Sequence, residues 1–68
     1  MYKFDFTKDE VKEIKSKIYL VNGEEEVFDD RLNGLDIIQI SLKRNMSTAT
    51  VSRKVKNIYK KILKIKNL

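Results

Sequence analysis

Apolar residues recur along this chain at spacings of three and four, and the series is interrupted by Asn22-Gly23, by Asn33-Gly34 and by a lone Asn45. Val11, Ile14, Ile18 and Val21 form the first series, Val27, Phe28 and Leu32 the second, and Val51, Val55, Ile58, Ile62 and Ile65 the last. Such spacing puts side chains on one side of a helix, so each segment predicts an amphipathic helix with one buried face. Asn-Gly also marks hairpins, but those need alternating β-rich flanks, which are absent here. The breaks are therefore read as helix stops, where Gly or Asn accepts the left-handed conformation.

The starts are signed as clearly as the stops. Thr7 stands three residues before Glu10, flanked by Phe6 and Val11, which makes a capping box with a hydrophobic staple. Asp36 with Gln39, flanked by Leu35 and Ile40, repeats that grammar, and Ser47 caps a last helix with Met46 stapling onto Val51. The second helix, from about Glu24 to Leu32, opens on Glu24, Glu25 and Glu26, where the helix dipole favours acids. Tyr2, Phe4 and Phe6 alternate with polar residues over too short a run for a strand and are expected to pack as an extended arm. The fold class expected is all-α: one small four-helix domain over residues 1–68, with an acidic or mixed half at 1–35 and a basic half at 36–68. Only Asn45 and Met46 lie between Arg44, which ends the third helix, and the cap Ser47. So short a turn forces the two axes to cross steeply, as in a helix-turn-helix.

Composition removes several classes of function. With 68 residues, no Cys, no His, no Pro and no Trp, the chain has no disulfide framework, no Cys/His zinc site and no histidine or cysteine catalysis. A domain of this size leaves little room for an enzyme pocket, and no nucleophile–base pair or Gly-rich phosphate loop is present; neither an enzyme nor a cofactor is expected. The acids at Glu24–Glu26, Asp29 and Asp30 lack the spaced Asp/Asn/Gly loop of a calcium site and are expected to be a solvated helix start. Apolar runs such as Tyr19-Leu20-Val21 fall far short of the ~18 residues of a membrane span, and the N-terminus lacks a signal peptide's apolar core, so a cytoplasmic protein is expected.

The net charge of +5 conceals a polarity. Residues 1–36 hold six Lys/Arg and all ten acids, net −4, whereas residues 37–68 hold nine Lys/Arg and no acid, net +9. One half of the molecule is thus suited to a polyanion: nucleic acid, an anionic membrane surface or an acidic protein.

The segment Ile40-Ser41-Leu42-Lys43-Arg44-Asn45-Met46-Ser47-Thr48-Ala49-Thr50-Val51-Ser52-Arg53 resembles the helix-turn-helix of LuxR/GerE-type regulators and of the sigma-factor C-terminal domain. Their shared form reads Ile-Ala-x-x-Leu-Gly-Val-Ser-x-x-Thr-Val-Ser, followed by a long helix ending in Ile-x-x-Lys-Leu, and Ile58-Tyr59-Lys60-Lys61-Ile62 extends the likeness to about thirty residues. Arg44 stands where that pattern has Leu, with Leu42 two residues earlier, and the first helix is an addition to it. The resemblance implies a small transcription regulator, of bacterial or phage type, that reads double-stranded DNA with its last helix. The Lys-, Ile- and Asn-heavy composition fits an AT-rich genome, and the protein would be nucleoid-associated when bound.

Projected at 100° per residue, the side of the last helix opposite its apolar stripe carries Ala49, Arg53, Lys56 and Lys60, flanked by Thr50, Ser52 and Asn57. Residues near the N-terminus of such a helix sit deepest in a major groove, so Thr48, Ala49, Ser52 and Arg53 are the expected base readers, with Asn57 added if the helix lies flat. Arg53 suits guanine, and the methyls of Thr48 and Ala49 suit thymine. Lys43, Arg44, Ser47, Thr50, Lys54, Lys56 and Lys60 are the expected phosphate contacts. The stripe Ile58, Ile62 and Ile65 continues the four-three spacing of a short coiled coil, to be covered by the first helix or by a second subunit; a homodimer through Ile58, Tyr59, Ile62 and Ile65 is expected. Two competing readings are a protein-interaction module touching RNA polymerase or another transcription protein, through a surface distinct from the basic one, and a basic amphipathic helix on a membrane surface. Well-capped upstream helices argue against the latter, so no membrane partner is expected.

Overall fold

The structure, a computed structural model, describes residues 4–21 and 23–66, the last of them by its backbone alone. Four helices follow one another: α1 Lys8–Lys17, α2 Glu24–Leu32, α3 Ile37–Arg44 and α4 Thr48–Lys66. This is the small all-α domain that the spacing predicts. Tyr2 and Asn22, named above, lie outside the described residues.

The helix ends carry the expected chemistry. The Thr7 and Glu10 backbone N–H groups donate to each other's side chains at 2.9 and 3.2 Å, and Asp36 and Gln39 do the same at 2.9 and 2.8 Å. Ser47 Oγ accepts from the Thr50 N–H at 3.1 Å. Orphan N–H groups at three helix starts are therefore satisfied. α2 and α3 close alike: the Leu35 N–H returns to the Asp30 carbonyl and the Met46 N–H to the Ser41 carbonyl, each at 3.0 Å, around a left-handed Gly34 and a left-handed Asn45. Asn45, at φ 58°, is the one non-glycine residue with positive φ among the described residues, so the tight turn into α4 rests on a residue that tolerates that region.

One boundary differs from expectation. α1 ends at Lys17, where Ile18 turns extended (φ −112°, ψ 152°), and 18–21 are not helical, rather than completing the helix to Gly23. In that stretch Ile18 and Leu20 pack against the core, while Tyr19 is 80% and Val21 39% exposed. A period of two has displaced the period of 3.6, because Ile18 satisfies both and Leu20 satisfies only the extended one. Gly23, at φ 80°, then serves as the N-cap of α2 instead of the stop of α1, in a left-handed conformation that a side chain would strain.

The core is built on α4, which packs against each of the other three helices. Val51, Val55, Ile58 and Ile62 meet Ile14 of α1, Val27 and Phe28 of α2 and Ile40 of α3. Phe28, Ile40 and Ile58 are fully buried, each stabilising the fold by roughly 1.5–3 kcal/mol. The N-terminal arm packs onto this core as expected, with the Phe4 ring edge-on to Phe28 at 5.3 Å and Phe6 beside it. Ile58 and Ile62 are closed off within the chain, which corrects their assignment to a dimer seam: α1 and α2 cover the stripe, and Tyr59 and Ile65 are half-buried at its margin.

Two acids of the expected wet cluster are instead buried. Asp30 is 1% exposed and lies against the last turn of α3: Arg44 grips it through Nε to Oδ2 at 2.8 Å and Nη2 to Oδ1 at 3.1 Å, and Lys43 Nζ donates to Oδ1 at 2.9 Å. The Arg44 guanidinium, aided by Lys43, holds the Asp30 carboxyl at about 2 against an ordinary 3.8, although burial opposes this. Glu24, 3% exposed, accepts from Lys61 Nζ at 2.6 Å and from the Val21 N–H at 3.1 Å, and the same Lys61 ammonium reaches the Tyr19 carbonyl at 2.7 Å. Burial of a carboxylate is tolerable only with such partners. Lys15 adds a link from α1 to Asp29 of α2 at 2.7 Å.

Two predictions concern this framework. Asp30→Asn should lower stability by about 1–3 kcal/mol at pH 7, measured by urea unfolding. Because the folded-state pKa is depressed, that contribution is present above the unfolded value and fades as pH falls from about 5 towards 2. The gap between wild type and variant should close over that window; a gap independent of pH would contradict the assignment. Asn45→Val should cost about 1–2 kcal/mol through its left-handed backbone, whereas Asn45→Gly should be tolerated.

Candidate nucleic-acid interface

With its apolar stripe facing inward, α4 presents Thr48, Ala49, Ser52, Arg53, Lys56, Asn57 and Lys60 to solvent, all of them exposed. The five residues expected to read bases are thus on one outward surface, and the small ones, Thr48, Ala49 and Ser52, gather at its N-terminal end. Nothing bulky shields Arg53 there. Lys56 and Lys60 follow on the same side, and Lys64, four residues further, extends the row, so that Arg53 to Lys64 span about 16 Å of helix.

The other expected phosphate contacts are differently placed. Arg44 pairs side-on with Asp30 through Nε and Nη2, and Lys43 donates to the same carboxylate. Arg44 has a structural role beside the expected phosphate contact, because breaking its pair would leave a buried carboxylate short of donors. Ser47 is exposed and holds the start of α4, its hydroxyl also donating to Thr50 Oγ1 at 2.8 Å, which leaves Thr50 half-buried beside it. Lys54 is half-buried on the flank, its stem near Gly23 at the start of α2.

Charge is sorted accordingly. Buried Asp30 and Glu24 draw Lys43, Arg44 and Lys61 towards the interior, whereas among the described residues Arg53, Lys56, Lys60 and Lys64 make no ion pair. A row of four unpaired cations on one helix face, with no acid on that helix or on α3, makes a positive stripe of the kind that tracks a phosphate backbone. Lys64 shares the spacing of the row, but its distance along the helix sets it beyond the groove contact expected from the sequence. The role of Lys61 was not legible, because its partners lie 37 and 42 residues away.

Two further exposed features lie outside the expected set. Ile38 and Leu42, one turn apart on α3, are 63% and 79% exposed, and Leu63 is exposed beside the cation row. Surface depressions lie elsewhere, between the N-terminal arm and α2 and where Ile18 and Tyr19 meet Lys61 and Ile65. Among the described residues no group of acids is arranged to hold a metal ion, and no helix is long and apolar enough to cross a membrane. Compared with known protein families, curated proteins and solved structures, the chain finds no match in any of the three.

Proposed function

We propose that this protein binds double-stranded DNA in a sequence-specific manner, as a small transcription regulator of the helix-turn-helix kind, with the outward face of α4 in the major groove. The observation that carries this reading is the row Arg53, Lys56, Lys60 and Lys64, without an ion pair among the described residues and continuous with the small residues Thr48, Ala49 and Ser52 at the start of the same helix. Arg53 reads guanine, the methyls of Thr48 and Ala49 meet thymine, Ser52 and Asn57 supply further base-edge hydrogen bonds, and Lys56 and Lys60 hold phosphates. The resemblance to LuxR-type and sigma-factor domains supports the same docking. Its departure at Arg44 has a local reason: the guanidinium does with Asp30 what an apolar side chain would do by packing. The protein acts in the cytoplasm, on the nucleoid, and recruits RNA polymerase or another transcription protein only as a further partner.

A second reading, an interaction module that touches the transcription machinery without reading DNA, draws on Ile38 and Leu42, an exposed apolar pair on α3.

Selection of bound duplexes from a random pool at about 150 mM salt, where weak phosphate attraction is screened, tests the proposal. Enrichment of a defined site is the expected outcome; binding that vanishes with salt and enriches nothing would favour the interaction module. Palindromic enrichment would indicate a homodimer joined elsewhere than at Ile58 and Ile62. On the selected site, Arg53→Ala should cost roughly 1–3 kcal/mol and relax sequence preference, whereas Lys56→Ala should weaken all sequences alike and lower the salt slope by about one unit. Identical behaviour of the two variants would refute their separate roles.

A further inference from the structure

Asp30 draws its three contacts from two cations of unequal geometry and burial. The Arg44 fork already supplies both carboxylate oxygens, Nε to Oδ2 at 2.8 Å and Nη2 to Oδ1 at 3.1 Å. Lys43 Nζ adds a third contact to Oδ1 at 2.9 Å, from a side chain that is itself 50% exposed, compared with 31% for Arg44 and 2% for Asp30. The two cations are therefore unequal. Removing Arg44 strands a buried charge, whereas removing Lys43 leaves the carboxylate with a bidentate partner and returns an ammonium to water. Lys43 also lies in the last turn of α3, next to the Asn45-Met46 turn and hence to the start of α4, where the proposed DNA surface begins. Arg's rigid fork suits the buried acid, while Lys, a point charge on a flexible stem, is the residue able to swing.

We propose that Lys43 is an exchangeable phosphate contact: parked on Asp30 in the free protein, it transfers to the DNA backbone on binding while Arg44 alone retains the carboxylate. This rests on the DNA-binding reading and divides the residues 43 and 44 that sequence placed together. Asp30 then tempers one part of the non-specific attraction, because the phosphate that Lys43 contacts must first draw it away from the carboxylate.

The test is a salt titration of affinity for one duplex, the selected site or a mixed-sequence 20-mer, with wild type, Lys43→Ala, Asp30→Asn and the double variant. Lys43→Ala should lower the slope of log affinity against log salt by about 0.9, the value of one phosphate contact, with its unfolding midpoint in urea nearly unchanged. Asp30→Asn should tighten binding at fixed salt by about 2- to 5-fold, the release of a half-exposed ion pair, and this gain should disappear when Lys43 is also Ala. A Lys43→Ala slope equal to wild type overturns the exchange, and that measurement decides the matter even where Asp30→Asn is too unstable to assay. A gain from Asp30→Asn that survives Lys43→Ala overturns it as well, by assigning the effect to Arg44. Wild type that binds no duplex at about 50 mM salt overturns the DNA reading itself, an outcome distinct from either.

Discussion

The constraint on which the molecule depends is that one helix is both the floor of the core and an outer wall. Val51, Val55, Ile58 and Ile62 anchor α1, α2 and α3 at once, so the inward stripe of α4 is fully used by its own chain. That fixes the rotation of α4 about its axis, and the rotation in turn decides which residues face outward. Arg53, Lys56 and Lys60 are exposed together because Val51, Val55 and Ile58 are buried together. A disturbance of the stripe would misalign the outer face before it unfolded the domain, since close-packed interiors transmit such changes.

The second organising element is electrostatic. The acid-poor half of the chain would repel itself if all its cations were left bare, and the fold answers by sending two carboxylates inward from α2. Asp30 ties α2 to the end of α3, and Glu24 ties it to the middle of α4 through Lys61. Those ties are selective: they remove charge from the interior side of the basic half and leave its outer side intact.

What could be read from residue order alone was what short-range chemistry decides. The capping boxes at Thr7 and Asp36, the Ser47 cap and the left-handed Asn45 involve partners no more than a few residues apart, and each formed as its spacing predicted. The end of α1 was misread because Ile14, Ile18 and Val21 fit a helix, and only Leu20, one residue out of that pattern, betrays the extended run. The buried state of Asp30 and Glu24 was hidden for another reason. Their partners are 13 to 37 residues away, and a cluster of acids looks the same on paper whether it meets water or a guanidinium. Ile58 and Ile62 pose the same difficulty, since an apolar stripe does not declare whether its cover comes from its own chain or another.

The reach of Lys61 across 42 residues to the Tyr19 carbonyl has a consequence for how the domain assembles and comes apart. Contacts between α3 and α4 are nearly local and can form early, whereas the extended Ile18–Val21 connection acquires its anchor only after the second half of α4 is in place. α1 and its connection are therefore tied in by contacts of long sequence separation, which cost more loop-closure entropy than those of the α3–α4 pair. The domain is thus three mutually packed helices, α2, α3 and α4, with α1 clasped to them from far along the chain.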